Sequence, residues 1–328
     1  MLDTTVAEAK ALDNFRGDFD GLSKFMNESW AENNQQALRY SPSFLRSCLE
    51  YPGADYSLCP TIYSGEKPIG FVAAFPRTVK FEQKLRLALI TFLSVAPEFK
   101  KKGYGVILWS ELVSRARAAG FDGMVNYCIA ESDMDKIIEG CCHRLKLPTC
   151  CAHSVGYMSA LLPSAETGSN LLPQQSDYAI DAFRRVASEV GERAALSRIW
   201  SESEAAWQCR GRMGALIATY SKASQHGALT GYVAPIANEK RTKCLFVEDV
   251  LWADLDDSPR QMLLQGLLSQ ARALGAEMAT VPRCGYADLR TFSSAGFVRT
   301  RRVVRAYLTI WNGPAPRADL PSYYLDVF

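Results

Sequence analysis

One stretch of the chain decides the fold: Leu89-Ile90-Thr91-Phe92-Leu93-Ser94-Val95-Ala96-Pro97-Glu98-Phe99-Lys100-Lys101-Lys102-Gly103-Tyr104-Gly105-Val106-Ile107-Leu108. An apolar run typical of a buried strand leads into three lysines and two glycines, and an amphipathic helical pattern follows. Backbone N–H groups at a helix start attract anions, and glycine lets a ligand approach the backbone closely. The stretch matches neither Gly-x-x-x-x-Gly-Lys-Ser/Thr nor Gly-x-Gly-x-x-Gly. We therefore expect a phosphate or pyrophosphate here, but not in one of the usual nucleotide loops.

Working outward from this stretch, apolar periodicity predicts the same order of elements twice, on either side of a Ser-, Pro- and Gln-rich linker at 163–176. An α/β protein of two domains, 1–162 and 177–328, is expected, each a twisted mixed sheet flanked by helices. In the first half the predicted helices are 15–31, 42–49, 103–119 and 133–145, and the strands are 61–63, 70–80, 85–95, 124–128 and 154–162. In the second half the helices are 178–190, 196–207, 259–274 and 286–294, and the strands are 215–221, 231–238, 243–255, 277–281 and 297–311.

Composition excludes several classes of protein. With 48% hydrophobic residues, the 328-residue chain has the apolar content of a folded globular protein and not of a disordered one. A formal charge of +2 provides no overall field for binding nucleic acid. The longest apolar stretch is too short to span a membrane, and the amino terminus lacks the apolar core of a secretion signal. A cytoplasmic protein with free cysteines is expected.

A cluster of metal-type side chains has the wrong spacing for a metal site. Its cysteines form adjacent pairs, and neighbouring side chains point apart on a helix or a strand. We interpret them as small buried hydrophobic residues and expect no metal. The cluster consists of Cys141, Cys142, His143, Cys150, Cys151 and His153.

The stretch Val95-Ala96-Pro97 followed by Lys100-Lys101-Lys102-Gly103-Tyr104-Gly105 resembles the coenzyme A loop of the GNAT acyltransferase superfamily. The predicted order of elements around it is also that of this superfamily. The resemblance implies two tandem GNAT-like domains and an acyl-CoA co-substrate. The coenzyme-binding residues it implies are Leu93, Val95, Lys100, Lys101, Lys102, Gly103, Tyr104 and Gly105.

Five further patches, in order along both halves, resemble N-myristoyltransferase, itself a tandem GNAT protein. Only about fourteen residues precede the first predicted helix, whereas N-myristoyltransferases carry a longer arm over the fatty-acyl group. Acetyl-CoA or another short acyl-CoA is therefore the expected donor. The patches are Ser41-Pro42-Ser43-Phe44-Leu45, Gly70-Phe71-Val72, Thr91-Phe92-Leu93-Ser94-Val95, His143-Arg144 and Ala306-Tyr307-Leu308-Thr309-Ile310-Trp311.

The second half has an acidic segment where its own coenzyme loop would lie. Asp254, Asp256 and Asp257 occur there without any glycine, and acidic groups repel a pyrophosphate. We predict one coenzyme site per chain, in the first half, and an acceptor site shaped by the second half.

Catalytic roles are implied by the resemblance. In GNAT proteins the strand before the loop has a bulge whose backbone N–H groups face the thioester carbonyl, which assigns that role to Phe92 and Leu93. The usual superfamily acid, a helix tyrosine, corresponds to Cys142, whose thiol is either a proton donor or a structural core residue. Tyr127 is a weaker candidate on the neighbouring strand.

The general base is left open among five carboxylates. Glu131 and Asp133 follow the strand 124–128, and Glu248 and Asp249 are neighbours on one strand, so that one of them faces inward. In N-myristoyltransferase the chain-terminal carboxylate takes the proton from the amine, which makes Phe328 a candidate here. The apolar tail that carries it should dock on the protein, with an added edge strand as the alternative role.

The expected activity is N-acyl transfer from coenzyme A to a primary amine of a small molecule, an amino acid or a peptide amino terminus. Neither nucleic acid nor a membrane is expected as a partner, whereas an acyl carrier protein is a possible one. One alternative is an N-acyl amino acid synthase that depends on an acyl carrier protein, whose acidic surface the lysines would meet. A second alternative is a non-catalytic sensor or scaffold that binds acyl-CoA.

Overall fold

The computed structural model describes residues 10–31, 38–163, 177–222, 224–236, 242–252 and 254–326. Within them the chain forms one mixed sheet with helices packed against it, which confirms the mixed α/β class. The helices are α1 Phe19–Trp30, α2 Pro42–Leu49, α3 Tyr104–Ala118, α4 Asp133–Arg144, α5 Asp177–Arg193, α6 Glu202–Ala206, α7 Asp257–Ala273 and α8 Arg290–Ser294. The strands are β1 Lys10–Asn14, β2 Pro60–Ser64, β3 Lys67–Phe81, β4 Gln83–Val95, β5 Gly123–Ile129, β6 Thr149–Leu161, β7 Leu196–Arg198, β8 Ala215–Lys222, β9 Gln225–Pro235, β10 Lys243–Leu251, β11 Ala276–Arg283, β12 Val298–Ile310 and β13 Tyr323–Tyr324.

The two halves exchange their long late strands. The order across the sheet is β1-β2-β3-β4-β5-β12-β6-β11-β10-β9-β8. β12, from the end of the chain, lies between β5 and β6 of the first half, while β6 pairs with β11 of the second half. The sheet is thus continuous from one half to the other, and the division of the chain at 162 and 177 stays a prediction. Residues 164–176 of the predicted linker lie outside the described part of the chain.

Most predicted elements lie where apolar periodicity places them, and α2 has the predicted bounds because Ser41 caps it and Pro42 occupies its first position. The helix predicted from residue 15 begins at Phe19, since the Asp18 side chain accepts the Gly21 N–H as its N-cap. The strand β1 was not predicted, because its five residues are all exposed and carry no apolar period.

The helix predicted over 196–207 is wrong. Leu196–Arg198 instead forms the strand β7, which pairs with β3 and β13. A helix begins only after Ser201, where a capping box with Glu204 starts α6, and a π-helical turn at Trp207–Gly211 follows. The pairing of β7 with distant strands overrides its local helical pattern.

No helix in the described part of the chain is long and apolar enough to cross a membrane. Among the same residues no three metal-type side chains come together in a group that would hold an ion. Cys141 and Cys142 are buried, and Cys150 and Cys151 are half-buried.

Candidate active site

A cleft opens between β4 and β5. The two strands pair in parallel only from Leu87 with Gly123 to Ile90 with Asn126. β4 continues to Val95 and β5 to Ile129, so the strands separate along their carboxyl-terminal ends. A cleft at the carboxyl ends of parallel strands is a common position for a ligand.

The predicted bulge lies on β4 at the mouth of this cleft. The register with β3 shifts between Phe71 and Ala73, which pair with Ser94 and Thr91, so Phe92 and Leu93 together face one residue of β3. Phe92 has a φ of 60°, a left-handed conformation that a bulky side chain rarely adopts. A bulge turns backbone groups out of the strand ladder. The structure thus places a bulge at Phe92 and Leu93, and their catalytic role stays a prediction.

The coenzyme loop joins β4 to α3. Gly103, with a φ of 86°, is the N-cap of α3, and no side chain caps the helix. A Cβ at Gly103 would meet no described atom within 4 Å. The turn thus leaves open space in front of the helix start, where the backbone of Tyr104 and Gly105 begins α3, and this arrangement favours an anion.

The three lysines of the loop differ in their surroundings. Lys100 donates from Nζ to the carbonyl of Ser29, at 3.1 Å, near the end of α1. Lys102 Nζ lies 5.4 Å from the centre of the Phe99 ring, while Lys101 is exposed. Only part of the predicted lysine charge is therefore directed into solvent.

Lys10 is a fourth cation of the loop, and sequence reasoning missed it. Its Nζ donates to the Tyr104 hydroxyl at 2.8 Å and lies 4.4 Å from the centre of the Phe99 ring. Pairing of β1 with β2 brings Lys10 here from 94 residues away in sequence. No local pattern in the sequence signals such a contact.

Aromatic side chains pack around the bulge. The Phe92 ring lies 5.9 Å from the ring of Tyr40 and 6.4 Å from that of Phe75, both edge to face. Trp30 donates from Nε1 to the Ser94 hydroxyl at 3.0 Å, which fixes the end of α1 against β4. Buried aromatic rings thus occupy much of the space beside the bulge.

Asn126 lies at the point where β4 and β5 separate, and it is another residue that sequence reasoning missed. Its side chain is buried, and its Oδ1 accepts a hydrogen bond from Trp109 Nε1 at 3.0 Å. Its Nδ2 has no hydrogen-bond partner among the described residues. A buried amide donor without a partner is uncommon in proteins, and this one adjoins the last β4–β5 pair.

The two predicted proton donors are buried. Burial raises the pKa of the Cys142 thiol, which also interacts with Thr149 and Thr309, so the thiol is protonated at neutral pH. The Tyr127 hydroxyl lies 2.5 Å from that of Tyr323, and burial raises the pKa of Tyr127 well above its usual value. Neither arrangement tests a catalytic role, and both assignments stay predictions.

Glu131 is exposed just beyond β5, on the loop that also carries Asp133. Its backbone adopts a φ of 64°, and its N–H donates to Asp135 Oδ2 at 2.8 Å. Burial acts to raise the pKa of Asp135, but hydrogen bonds from Tyr307 and the Glu131 N–H and the charge of Arg305 lower it. Asp135 therefore stays ionised and holds this loop beside the mouth of the cleft.

Glu248 and Asp249 lie in the second half, at a similar separation between β10 and β11. Arg212 forms two hydrogen bonds with the Glu248 carboxylate, one of 2.9 Å from Nη1 to Oε1. Gln208 donates from Nε2 to Glu248 at 2.6 Å and to Asp249 at 2.9 Å. The structure thus gives both interior carboxylates polar partners, and their role as candidate bases stays a prediction.

The tail docks, as predicted, with Tyr323, Tyr324 and Leu325 buried. Two of these residues also add the short strand β13 beside β7. Asp326 is held between two arginines, 2.6 Å from Nη2 of Arg77 on β3 and 2.7 Å from Nη1 of Arg198 on β7. Although burial opposes it, these charges lower the pKa of Asp326. Phe328 lies outside the described residues.

The bulged, separated strand pair, the glycine turn and the uncapped helix start are the arrangement that the resemblance to GNAT acyltransferases implies. The model of the acetyltransferase (GNAT) family matches residues 20–137, which contain the cleft and the loop. This match confirms the predicted resemblance to GNAT acyltransferases for that part of the chain, and with it the acyl-CoA-dependent N-acyltransferase class.

Solved structures show what the fold is similar to. Saccharomyces cerevisiae N-myristoyltransferase with bound myristoyl-CoA superimposes with a TM-score of 0.73 at 14% identity, over 96% of this chain and 89% of that one. A GCN5-related N-acetyltransferase from Kribbella flavida gives 0.52 at 15% identity, over 94% and 73%. One from Anabaena variabilis gives 0.55 at 13%, over 93% and 73%. None of the curated proteins compared with the sequence matches it.

Proposed function

We propose that the protein transfers an acetyl or other short acyl group from coenzyme A to a primary amine of a small molecule, an amino acid or a peptide amino terminus. The observation that carries the proposal is the continuity of the bulged β4–β5 cleft with the uncapped, basic start of α3. The bulge in the cleft suits a thioester, and the start of α3 suits a pyrophosphate.

In this proposal the backbone at Phe92 and Leu93 stabilises the oxyanion that forms when an uncharged amine attacks the thioester carbonyl. The carbon–sulfur bond then breaks, the thiolate takes a proton, and the amine gives up its own proton to a base. The candidates for this base are those of the sequence analysis, namely Glu131, Asp133, Glu248, Asp249 and the carboxylate of Phe328. Cys142 is the candidate proton donor, and Val95 and the loop from Lys100 to Gly105 bind the coenzyme.

A short acyl group is supported by the packing around Phe92. The buried rings of Tyr40 and Phe75 lie beside the bulge, where a long chain would need space. Yeast N-myristoyltransferase has been solved with myristoyl-CoA, so the chain length is the property in which we expect the two proteins to differ.

Release of free thiol from acetyl-, butyryl- and myristoyl-CoA, measured with a panel of amines, tests the proposal. We expect the acetyl or butyryl donor to give the highest kcat/KM. A preference for myristoyl-CoA would contradict the short donor while keeping the reaction. Turnover only with a carrier-bound acyl group would favour the synthase, and tight binding of acyl-CoA without turnover on any amine would favour a sensor.

A further inference from the structure

A second cavity lies away from the β4–β5 cleft, in the second half of the sheet. Its volume is about 500 Å³, within the range of small-molecule sites. Gly156 and Met158 of β6 form its floor, and Arg283, Arg290 and Arg299 surround it. Nothing in the reaction proposed above uses these residues.

The sheet register places two of the arginines on the strands that flank β6, on the same face of the sheet. Arg283, the last residue of β11, pairs with Gly156, and Arg299 of β12 pairs with Met158. Residues that pair directly lie on the same face of a sheet. A Cβ at residue 156 would lie 3.5 Å from Arg283 Nη1, an ordinary contact distance, so the Arg283 side chain extends over Gly156 of β6.

The charge in the cavity is unbalanced. Arg290 is paired with Asp288 at 2.7 Å, and Asp288 also accepts a hydrogen bond from Arg260 at 3.2 Å. Neither Arg283 nor Arg299 forms an ion pair within the described part of the chain. Two unpaired guanidinium groups in one concave site attract an anion, since each can bind two oxygens of a carboxylate or phosphate.

We propose that this cavity binds a small molecule with a phosphate or carboxylate group, at a site separate from the coenzyme loop. Arg283 and Arg299 hold the anionic group. The side chains of Met158, Ala287 and Leu289, which also line the cavity, contact the organic part of the ligand. The site therefore takes an effector or a second substrate, and it does not depend on the acyl transfer proposed above.

Isothermal titration with two probes, inorganic phosphate and succinate, tests the proposal and separates the two sources of negative charge. The variant Arg283→Gln/Arg299→Gln should bind the preferred probe at least about tenfold more weakly. Arg144→Gln is the matched control, because Arg144 is an exposed arginine on α4. A Lys100→Gln/Lys101→Gln/Lys102→Gln variant shows whether the probe binds at the coenzyme loop instead.

We expect the control and the loop variant to bind the probe within about twofold of the unmodified protein. Arg283→Lys/Arg299→Lys, which keeps the charge, should retain more affinity than the Gln pair, and equal melting temperatures establish that each variant is folded. The proposal is overturned if neither probe binds, if the Gln pair binds as tightly as the unmodified protein, or if only the loop variant loses binding.

Discussion

The two halves of the molecule contain the same backbone cleft and fill it differently. β4 separates from β5 after Ile90, and β10 separates from β11 after Phe246. Each leading strand then has a register shift, at Phe92 in the first half and between Val247 and Asp249 in the second. Phe92 is the second residue of β4 after its last parallel pair with β5, and Glu248 is the second residue of β10 after its last parallel pair with β11.

The side chains in the two clefts are of opposite kinds. Phe92 and Leu93 are apolar and partly exposed, whereas the corresponding Glu248 and Asp249 are buried with Arg212 and Gln208. In the second half a Tyr286 hydroxyl also accepts the Val250 N–H at 3.1 Å. Buried carboxylates require partners, and these partners occupy the second cleft. The two bulges thus differ in the side chains they carry, and we predict a coenzyme only at the first.

The largest expected effect is on the free energy of unfolding, and it comes from removing one member of the buried Arg212–Glu248 ion pair. Arg212→Ala leaves Glu248 buried without its cation, so it should lower the free energy of unfolding by about 3–5 kcal/mol. Urea denaturation measures this loss. The double variant Arg212→Met/Glu248→Leu removes both charges and should recover most of it, and a double variant as unstable as Arg212→Ala would contradict this account.

The stability of the protein should depend on pH through Asp249, the buried aspartate of the second cleft. Burial raises the pKa of Asp249 to about 6, above its ordinary value of 3.8. Its contribution to stability is therefore full below pH 3.8 and falls as the pH rises through about 6. Relative to Asp249→Asn, the free energy of unfolding should decrease by about 2 kcal/mol between roughly pH 4 and pH 7. Parallel pH profiles for the two proteins would contradict it.

In the first cleft, a methyl group at the helix start should obstruct the coenzyme. Gly103→Ala adds a Cβ in the open space before α3, and we expect acetyl-CoA to bind about tenfold to a hundredfold more weakly, or roughly 1.4–2.8 kcal/mol. Gly120→Ala, at the other end of α3, is the matched control, since Gly120 also has a positive φ and open space. Equal losses of affinity in both variants would indicate backbone strain alone.

The lysines of the loop should contribute less than its backbone. Replacing Lys100, Lys101 and Lys102 by Gln should weaken acetyl-CoA several-fold, because Lys100 and Lys102 already interact within the protein. Binding should also become less sensitive to salt. Titrations at low and high ionic strength measure both effects, and an unchanged salt dependence would mean that these lysines do not face the phosphates.

The smallest effect is expected at the acidic loop of the second half. Asp256→Lys/Asp257→Lys makes the start of α7 basic, but the second cleft stays filled by its polar side chains. We expect acetyl-CoA to bind once per chain with an affinity within about twofold of the unmodified protein. A second equivalent coenzyme site in calorimetry would show that loop charge alone had excluded the ligand.

Local signals in the sequence were enough for much of the candidate site. Ser41 and Pro42 set the start of α2, the glycine turn at Gly103 starts α3, and the apolar run that ends at Val95 forms β4. These elements depend on caps, turns and periodicity, all of which act between residues a few positions apart. The GNAT-like fold was accordingly predictable, and the assignment of the loop to the coenzyme stays a prediction.

Tertiary structure alone decided the features that join distant segments. Three contacts connect residues far apart in sequence: the exchange of β6 and β12, the hydrogen bond of Lys10 to Tyr104, and the ion pairs of Asp326 with Arg77 and Arg198. So does the burial of Glu248 against Arg212. Strand pairing and the compensation of buried charge are set by the whole fold, and for that reason the sequence pattern cannot specify them.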